Sequence, residues 1–299
     1  MMRGMYSAIS GLKTHQVALD VTANDLANVN TVGYKSARTT FKDSLTQIQR
    51  SGTASTPGVG GGNSAQIGLG TQLGSIDNVM VNGAFQATGN PLDVAISGDG
   101  WFRVGIGSPT AGNPTAGVPA PPNAVEYSRA GNFTRNDAGY LISQDGSYVL
   151  GSSRPAGTAG AQPCFIQIPA GATDVAISPD GAVSFVPPNG YTQPAALPAI
   201  ANGRAVVGYM TLAKFSNEGG LERVNSNRWR STGASGPETM GTPAGNGFGQ
   251  TIGGTLEMSN VDLATEFTDM ISAQRGFQAN SRVISTADEM LNDLVNIKR

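Results

Sequence analysis

The chain has 299 residues, 40 of them charged (13%), with a formal net charge of −2. A typical soluble domain carries about 25% charged residues. One histidine, His15, and one cysteine, Cys164, exclude a Cys/His zinc site, which needs three or four such ligands, and an internal disulfide. Five lysines leave a poor electrostatic footprint for nucleic acid, so no nucleic-acid partner is expected.

The charge is unevenly placed. Residues 1–50 hold 6 Lys/Arg and 3 Asp/Glu, residues 51–258 hold 9 and 12, and residues 259–299 hold 4 and 6. Two charge-rich ends therefore flank a charge-poor middle. The first residues lack a continuous apolar stretch and an Ala-x-Ala cleavage site, and no window of 18 apolar residues occurs. Neither a cleaved signal peptide nor membrane insertion is expected.

At the N-terminal end, Met5, Ile9, Leu12, Gln16, Leu19, Ala23 and Leu26 alternate in steps of four and three. That is a heptad seam with one polar member, and it predicts a helix from about Arg3 to Asn28, stopped near Gly33. The stretch 51–75 follows, with 8 glycines and no charge. It reads as part of an extended linker over 31–75, because it has little side chain to bury.

The middle, 76–259, reads as a mostly β domain. Leu92, Val94 and Ile96 precede Gly98-Asp99-Gly100 and then Trp101, Phe102 and Val104. Asp145-Gly146 and Asp180-Gly181 also separate alternating runs, and Asp-Gly in that setting predicts a hairpin. The octapeptide 93–100, Asp-Val-Ala-Ile-Ser-Gly-Asp-Gly, recurs at 174–181 with Pro179 as the one change. A repeated strand-turn fits better than a calcium loop, since the carboxylates do not alternate and no Glu stands at the twelfth position. The Pro-rich stretches 104–125, 187–198 and 231–247 read as surface loops.

The C-terminal end repeats the heptad step over a longer span: Leu263, Phe267, Met270, Gln274, Phe277, Ser281, Ile284, Asp288, Leu291 and Val295. Asp262 is the expected N-cap and Glu266 sits where the helix dipole favours an anion. A helix of about 35 residues would be roughly 52 Å long. Two heptad helices at opposite ends suggest one coiled-coil pair, making an α+β fold: an inner domain from 1–30 plus 260–299, the linker, and the β domain. The outer positions are largely Ala, Ser, Thr, Asn and Gln, where isolated coiled coils carry more charge. The expected assembly interface, through which the pair packs against copies of itself, is therefore the seam: Met5, Ile9, Leu12, Gln16, Leu19, Leu26, Leu263, Phe267, Met270, Gln274, Phe277, Ile284, Leu291 and Val295.

Catalytic equipment is thin. His15 lies beside the seam with no Ser or Cys arrangement around it, and Cys164 sits at the start of an apolar strand as a small hydrophobe. Asp99, Asp145 and Asp180 precede glycines, which is turn chemistry. No phosphate-cradling or dinucleotide motif occurs. No enzyme activity, catalytic residue, metal or cofactor is expected.

The run Asn24-Asp25-Leu26-Ala27-Asn28-Val29-Asn30-Thr31-Val32-Gly33-Tyr34-Lys35 resembles the N-terminal signature of the flagellar rod and hook axial family. The matching positions are Asn24, Leu26, Ala27, Asn28, Thr31, Gly33, Tyr34 and Lys35, while Asp25 replaces an Asn. Residues 259–263, 270–280 and 294–299 resemble the family's other end, and 90–102 its strand-rich outer domain. The resemblance implies an inner coiled-coil domain, an extended segment and an outer β domain, with many copies stacked into a hollow tube after export in the unfolded state by the flagellar type III apparatus. It implies as partners further copies of the chain, the distal rod protein, the hook–filament junction protein, the hook cap and the export apparatus, at the hook and basal body outside the cell envelope. The chain ends 261–267 and 294–299 look most like short hook proteins. The favoured reading is thus a hook subunit acting as a flexible universal joint. The alternative is a distal rod protein, a drive shaft, since 51–64 has about the length of the segment that stiffens that rod. Glycine there argues for flexibility. A reading from another class, an adhesive or carbohydrate-binding β protein on a helical stalk, needs clustered aromatics, and these are only 6% of the chain.

Overall fold

The computed structural model describes residues 2–55, 57–58, 60–105, 125–154, 163–188, 203–245 and 247–297. Most of the Pro-rich stretches 104–125 and 187–198 lie outside the described residues. The fold is α+β, with a helix at each end of a mostly β middle. It divides into two compact units, one of residues 1–28, 36–79 and 261–299, the other of 29–35 and 80–260.

The first unit contains α1 (Met2–Ala27), α2 (Leu263–Ile297) and four strands, β1 (Ala37–Asp43), β2 (Thr46–Arg50), β3 (Ala65–Gly68) and β4 (Thr71–Asn78). Asp262 caps α2 as expected: its carboxylate accepts the Ala264 N–H at 3.1 Å and the Thr265 hydroxyl at 2.9 Å. These bonds hold the Asp262 carboxyl below its usual range. α1 and α2 lie side by side. Gly11 faces Asn280, and Gly276 faces the His15 ring, each so closely that a Cβ on either glycine would fall 2.5–2.6 Å from the opposing side chain. Residue 11 against 280 and 15 against 276 fixes an antiparallel register. Large side chains thus seat reciprocally on glycines, letting the axes approach.

The segment expected as a linker over 31–75 is built differently. β1 pairs with β4 and β2 with β3, both antiparallel, and Thr53 and Gly62 bridge nearer the tip. The long uncharged stretch is therefore the far end of a two-stranded ribbon. Its Thr, Ile and Gln content supports pairing even though glycine breaks the side-chain rows. Residues 31–35 belong to the other unit.

That second unit is strand after strand: β5 (Phe85–Ala87), β6 (Val94–Ser97), β7 (Trp101–Gly105), β8 (Val125–Ser128), β9 (Thr134–Arg135), β10 (Leu141–Ile142), β11 (Tyr148–Ser152), β12 (Pro163–Phe165), β13 (Thr173–Ile177), β14 (Ala182–Val186), β15 (Ala205–Met210), β16 (Leu212–Lys214), β17 (Glu222–Val224), β18 (Arg228–Arg230), β19 (Thr239–Gly241), β20 (Gln250–Gly253) and β21 (Thr255–Glu257). The main sheet runs β13-β14-β15-β11-β7-β8-β18-β17, while β20 pairs with β6 and β21 with β5. Neighbouring residues of the central strands enter opposite cores, as a pleat requires. Trp101, Leu150 and Phe165 pack with Tyr127 and Trp229, whereas Phe102, Val149 and Ile166 pack with Phe133 and Phe185.

Two of the three Asp-Gly hairpins form: β10 pairs with β11 around Asp145-Gly146, and β13 with β14 around Asp180-Gly181. The first copy of the repeat does not. β6 pairs with β20, and β7 with β8, β11 and β16. Where the second copy has Pro179, Gly98 takes φ +111° and its Cα side abuts Gly249, while the Asp99 carbonyl accepts the Gly249 N–H at 2.7 Å. Glycine lets the chain leave β6 for another sheet instead of folding back.

Gly276→Leu is expected to push α1 from α2 and destabilise the helical unit by about 1–3 kcal/mol. His15→Ala in the same chain should recover part of that loss. Thermal unfolding followed by circular dichroism at 222 nm checks it; equal stability of Gly276→Leu and the unaltered chain would show that the glycine socket does not set the helix distance.

Candidate assembly interface

The signature residues serve two ends. Asn24 and Asn28 finish α1: the Asn28 N–H donates to the Asn24 carbonyl at 3.2 Å, and its Nδ2 donates to the same carbonyl at 2.9 Å. Leu26 is half-buried and Ala27 exposed. Asp25, which departs from the family pattern, is fully buried and accepts the Ala37 N–H at 2.9 Å, so it anchors the start of β1.

Thr31, Gly33, Tyr34 and Lys35 are built into the β unit. The Thr31 carbonyl closes a turn with the Tyr34 N–H. Gly33 has φ +67°, and its N–H donates to the Glu257 carbonyl at 2.7 Å. A Cβ there would lie 2.6 Å from the backbone of Arg129 and Ala130, so only glycine fits. The Tyr34 ring lies under the Arg223 guanidinium, 4.7 Å from its carbon, and the phenol oxygen accepts from Arg223 at 3.0 Å. Arg223 also donates to the Lys35 carbonyl at 2.6 Å and lies over Trp229.

Lys35 is completely buried. Its ammonium donates to Glu257 Oε1 at 2.6 Å and to the Val81 carbonyl at 2.9 Å. The other Glu257 oxygen meets Arg129 at 3.3 Å, and the Gly83 N–H adds a donor at 3.1 Å. Arg129 in turn donates to Asn82 and to the Gly98 carbonyl and lies over Trp101, which packs edge-on to Trp229. Burial pulls the Lys35 ammonium below the ordinary lysine range, while attraction to Glu257 works against that shift. The sequence reading names Tyr34 and Lys35 but not their partners Arg129, Arg223, Glu257, Trp101 and Trp229. The available signal is chemical economy: cations and tryptophans are scarce in a charge-poor middle, and each needs a partner when buried.

The heptad seam takes a different place from the line between the helices. Among the described residues, the buried ones of α1 are Ala8, Gly11, Thr14, Ala18, Thr22 and Asp25, and those of α2 are Ala273 and Ala287. Met5, Leu12, Leu19, Met270, Ile284 and Leu291 are half-buried, and Gln16 and Gln274 exposed. Ile9, Leu263, Phe267, Phe277 and Val295 are exposed, Phe267 by 49% and Val295 by 70%. Gly11 and Gly276 make the close contacts across the pair, whereas Thr14 meets Thr71 of β4 and Asp25 the start of β1. The seam's large apolar residues divide between half-buried and exposed positions.

His15 packs edge-on against Phe41 at 5.7 Å, and Cys164 is buried with its thiol pushed up to about 12, which keeps it unreactive. Among the described residues no helix is long and apolar enough to cross a membrane.

A helix at each end of the chain, a mostly β middle and the signature after α1 define a class, and comparison with known proteins gives the same one. Residues 5–35 match the flagella basal body rod protein model, residues 95–185 the flagellar hook protein FlgE/F/G D1 domain, and residues 252–297 the C-terminal model of the flagellar basal body rod FlgEFG proteins. The chain belongs to the flagellar rod and hook axial protein family, whose place is the flagellar basal body and hook. It is 43% identical to the flagellar basal-body rod protein FlgG of Bacillus subtilis, with all of both chains covered. It is 37% identical to that of Caulobacter vibrioides, with 97% of both covered. The flagellar hook protein FlgE of Borreliella burgdorferi is 27% identical over an alignment of 441 positions that covers both chains completely.

Lys35→Met should lower the stability of the β unit by about 3–5 kcal/mol, because it strips a buried carboxylate of one of its cations. Lys214→Met, which removes a half-exposed bridge to Asp99, should cost no more than about 1 kcal/mol. Urea unfolding followed by tryptophan fluorescence reads both, since Trp101 and Trp229 stand in this cluster. Equal effects would sink the claim that the buried pair fixes residues 31–35 in the β unit.

Proposed function

We propose that this chain is the subunit of the flagellar distal rod, polymerising into a straight hollow drive shaft that carries torque toward the hook. The observation that carries this reading is full-length agreement with rod relatives: 43% and 37% identity with 97–100% of both chains covered. Against the hook relative the alignment stretches to 441 positions for a chain of 299, so that protein has insertions this one lacks. The hook reading, which the chain ends favoured, gives way to its alternative.

The β-paired ribbon supports the same choice. A glycine-rich linker would give a compliant joint, whereas strands locked by ladder hydrogen bonds resist bending. In this reading the helical unit builds the wall nearest the channel and the β unit the outer surface. The terminal helices act together as a coiled-coil-like pair, and the exposed seam residues are covered by neighbouring copies. The partners are other copies and the axial proteins above and below, delivered through the type III export apparatus. The role is structural and assigns no chemistry to any residue.

Electron microscopy of basal bodies from a strain lacking the gene separates the readings. The distal-rod reading expects incomplete rods and no hooks; complete rods without hooks would return the assignment to the hook. In the purified protein, Leu19→Asp or Phe277→Asp should abolish tube formation while secretion continues. Normal tubes from both would show that the seam is not the interface.

A further inference from the structure

α1 and α2 each carry two opposite charges on the side turned away from the other helix. Lys13 and Asp20 stand one heptad apart on α1, and Arg282 and Glu289 one heptad apart on α2. All four are exposed, and none makes an ion pair among the described residues. Gly11 of α1 faces Asn280 of α2. Each charged pair sits two and nine residues past its own facing residue, which places it about 180–200° around the helix. Lys13 and Asp20 thus point away from α2, and Arg282 and Glu289 away from α1.

The order of these charges decides how two copies can meet. The helices of one chain are antiparallel, so in a row of copies pointing the same way, α2 of one lies antiparallel to α1 of the next. Arg282 then Glu289 runs against Asp20 then Lys13. Equal spacing lets both opposite pairs form at one register. Between them, Ser285 and Thr286 of α2 lie against Val17 and Gln16 of α1, all uncharged, and Asp293 stands one turn past Glu289 on the side of Lys13. Other registers are opposed. With neighbours level, Lys13 falls between Arg275 and Arg282. One heptad to either side of the matched register sets Lys13 on Arg282 or Asp20 on Glu289. Like charges so placed reject the wrong alignment.

We propose that α2 of one copy lies antiparallel against α1 of the next, with Arg282 on Asp20 and Glu289 on Lys13. The proposal rests on the homopolymer reading above and adds a lateral contact and its register. Within one chain Gly11 stands level with Asn280, so Asp20 stands level with residue 271. Meeting Arg282 instead displaces the neighbour by eleven residues, about 16 Å along the helices. The contact joins two different faces, so each copy keeps α1 free on one side and α2 free on the other. A row with such an axial step climbs as it grows. It does not close into a flat ring but extends as an open helical strand.

The test uses the full-length chain. Gln16→Cys with Thr286→Cys puts a thiol on each side of the matched contact, and oxidising the assembled protein should link copies into a ladder on a non-reducing gel. Gln16→Cys with Arg275→Cys, the pair that level packing would bring together, should give none. In a second series, Asp20→Arg and Arg282→Glu, each shown to be folded by circular dichroism, oppose like charges. Each should raise the concentration needed for polymerisation about tenfold or more by sedimentation, and the double variant should return it to within about twofold of the unaltered chain. If the reversals prevent folding, the cysteine ladder decides; if the cysteine variants do not assemble, the charge series decides. A ladder from the level pair, no ladder from the matched pair in assembled protein, or a double variant no better than the singles overturns the contact while leaving the homopolymer reading standing. An unaltered chain that never polymerises overturns both.

Discussion

Glu257 is the point on which the β unit closes. Its carboxylate has no exposed surface, yet it meets the Lys35 ammonium at 2.6 Å, the Arg129 guanidinium at 3.3 Å and the Gly83 N–H at 3.1 Å. Taking such charges out of water costs several kcal/mol per ion, and the cost is offset only when geometry and further hydrogen bonds are good. Here Val81, Asn82 and Gly98 supply those bonds. Lys35 and Glu257 answer each other's buried charge, which ties residues 35 and 257 together within the unit. The two passages of the chain into the unit are thereby held in a single register.

That lock joins residues 222 apart in sequence, and β5 and β6 pair with the distant strands β21 and β20. Contacts of such separation form late, because loop closure must come before any reward. A chain of this kind has no finished β unit until both of its ends are available. Late closure keeps the early part of the chain from trapping itself in a folded state.

Periodicity made the helices and most strands legible, because burial on one face imposes a repeat that side chains must obey. The same logic misled where identical residues had different neighbours. Residues 93–100 and 174–181 share seven of eight positions, but the second copy folds back as a hairpin and the first crosses to another sheet. Position 98 decides it: glycine at φ +111° permits the crossing, where proline at 179 holds φ negative. The lock itself was half visible. Tyr34 and Lys35 stood out in the signature, whereas Arg129, Arg223 and Glu257 have no spacing relation to it. Only the fold brings them there. The seam is legible as an apolar face, and on it Ile9, Leu263, Phe267, Phe277 and Val295 are exposed in this chain, while the helices meet at Gly11 and Gly276. The heptad pattern records an apolar face without saying whether the neighbour it faces is in the same chain.

The ribbon of residues 37–78 bears most directly on mechanics. Eight glycines in 51–75 invite a flexible reading, because glycine has the largest conformational freedom in an unfolded chain. Pairing removes that freedom. From Ala37 to Arg50 the chain runs beside its return from Ala65 to Asn78, and the bridge at Thr53 and Gly62 carries the pairing further out. A two-stranded ribbon is marginally stable alone, and here Phe41, Leu45, Ile48, Ile67 and Ile76 are exposed along it. Such side chains gain most when a neighbouring surface covers them. Once covered, a ribbon that can neither slip register nor splay resists bending. Stiffness of this segment follows from what its strands pair with, and its glycine content is a poor guide to it.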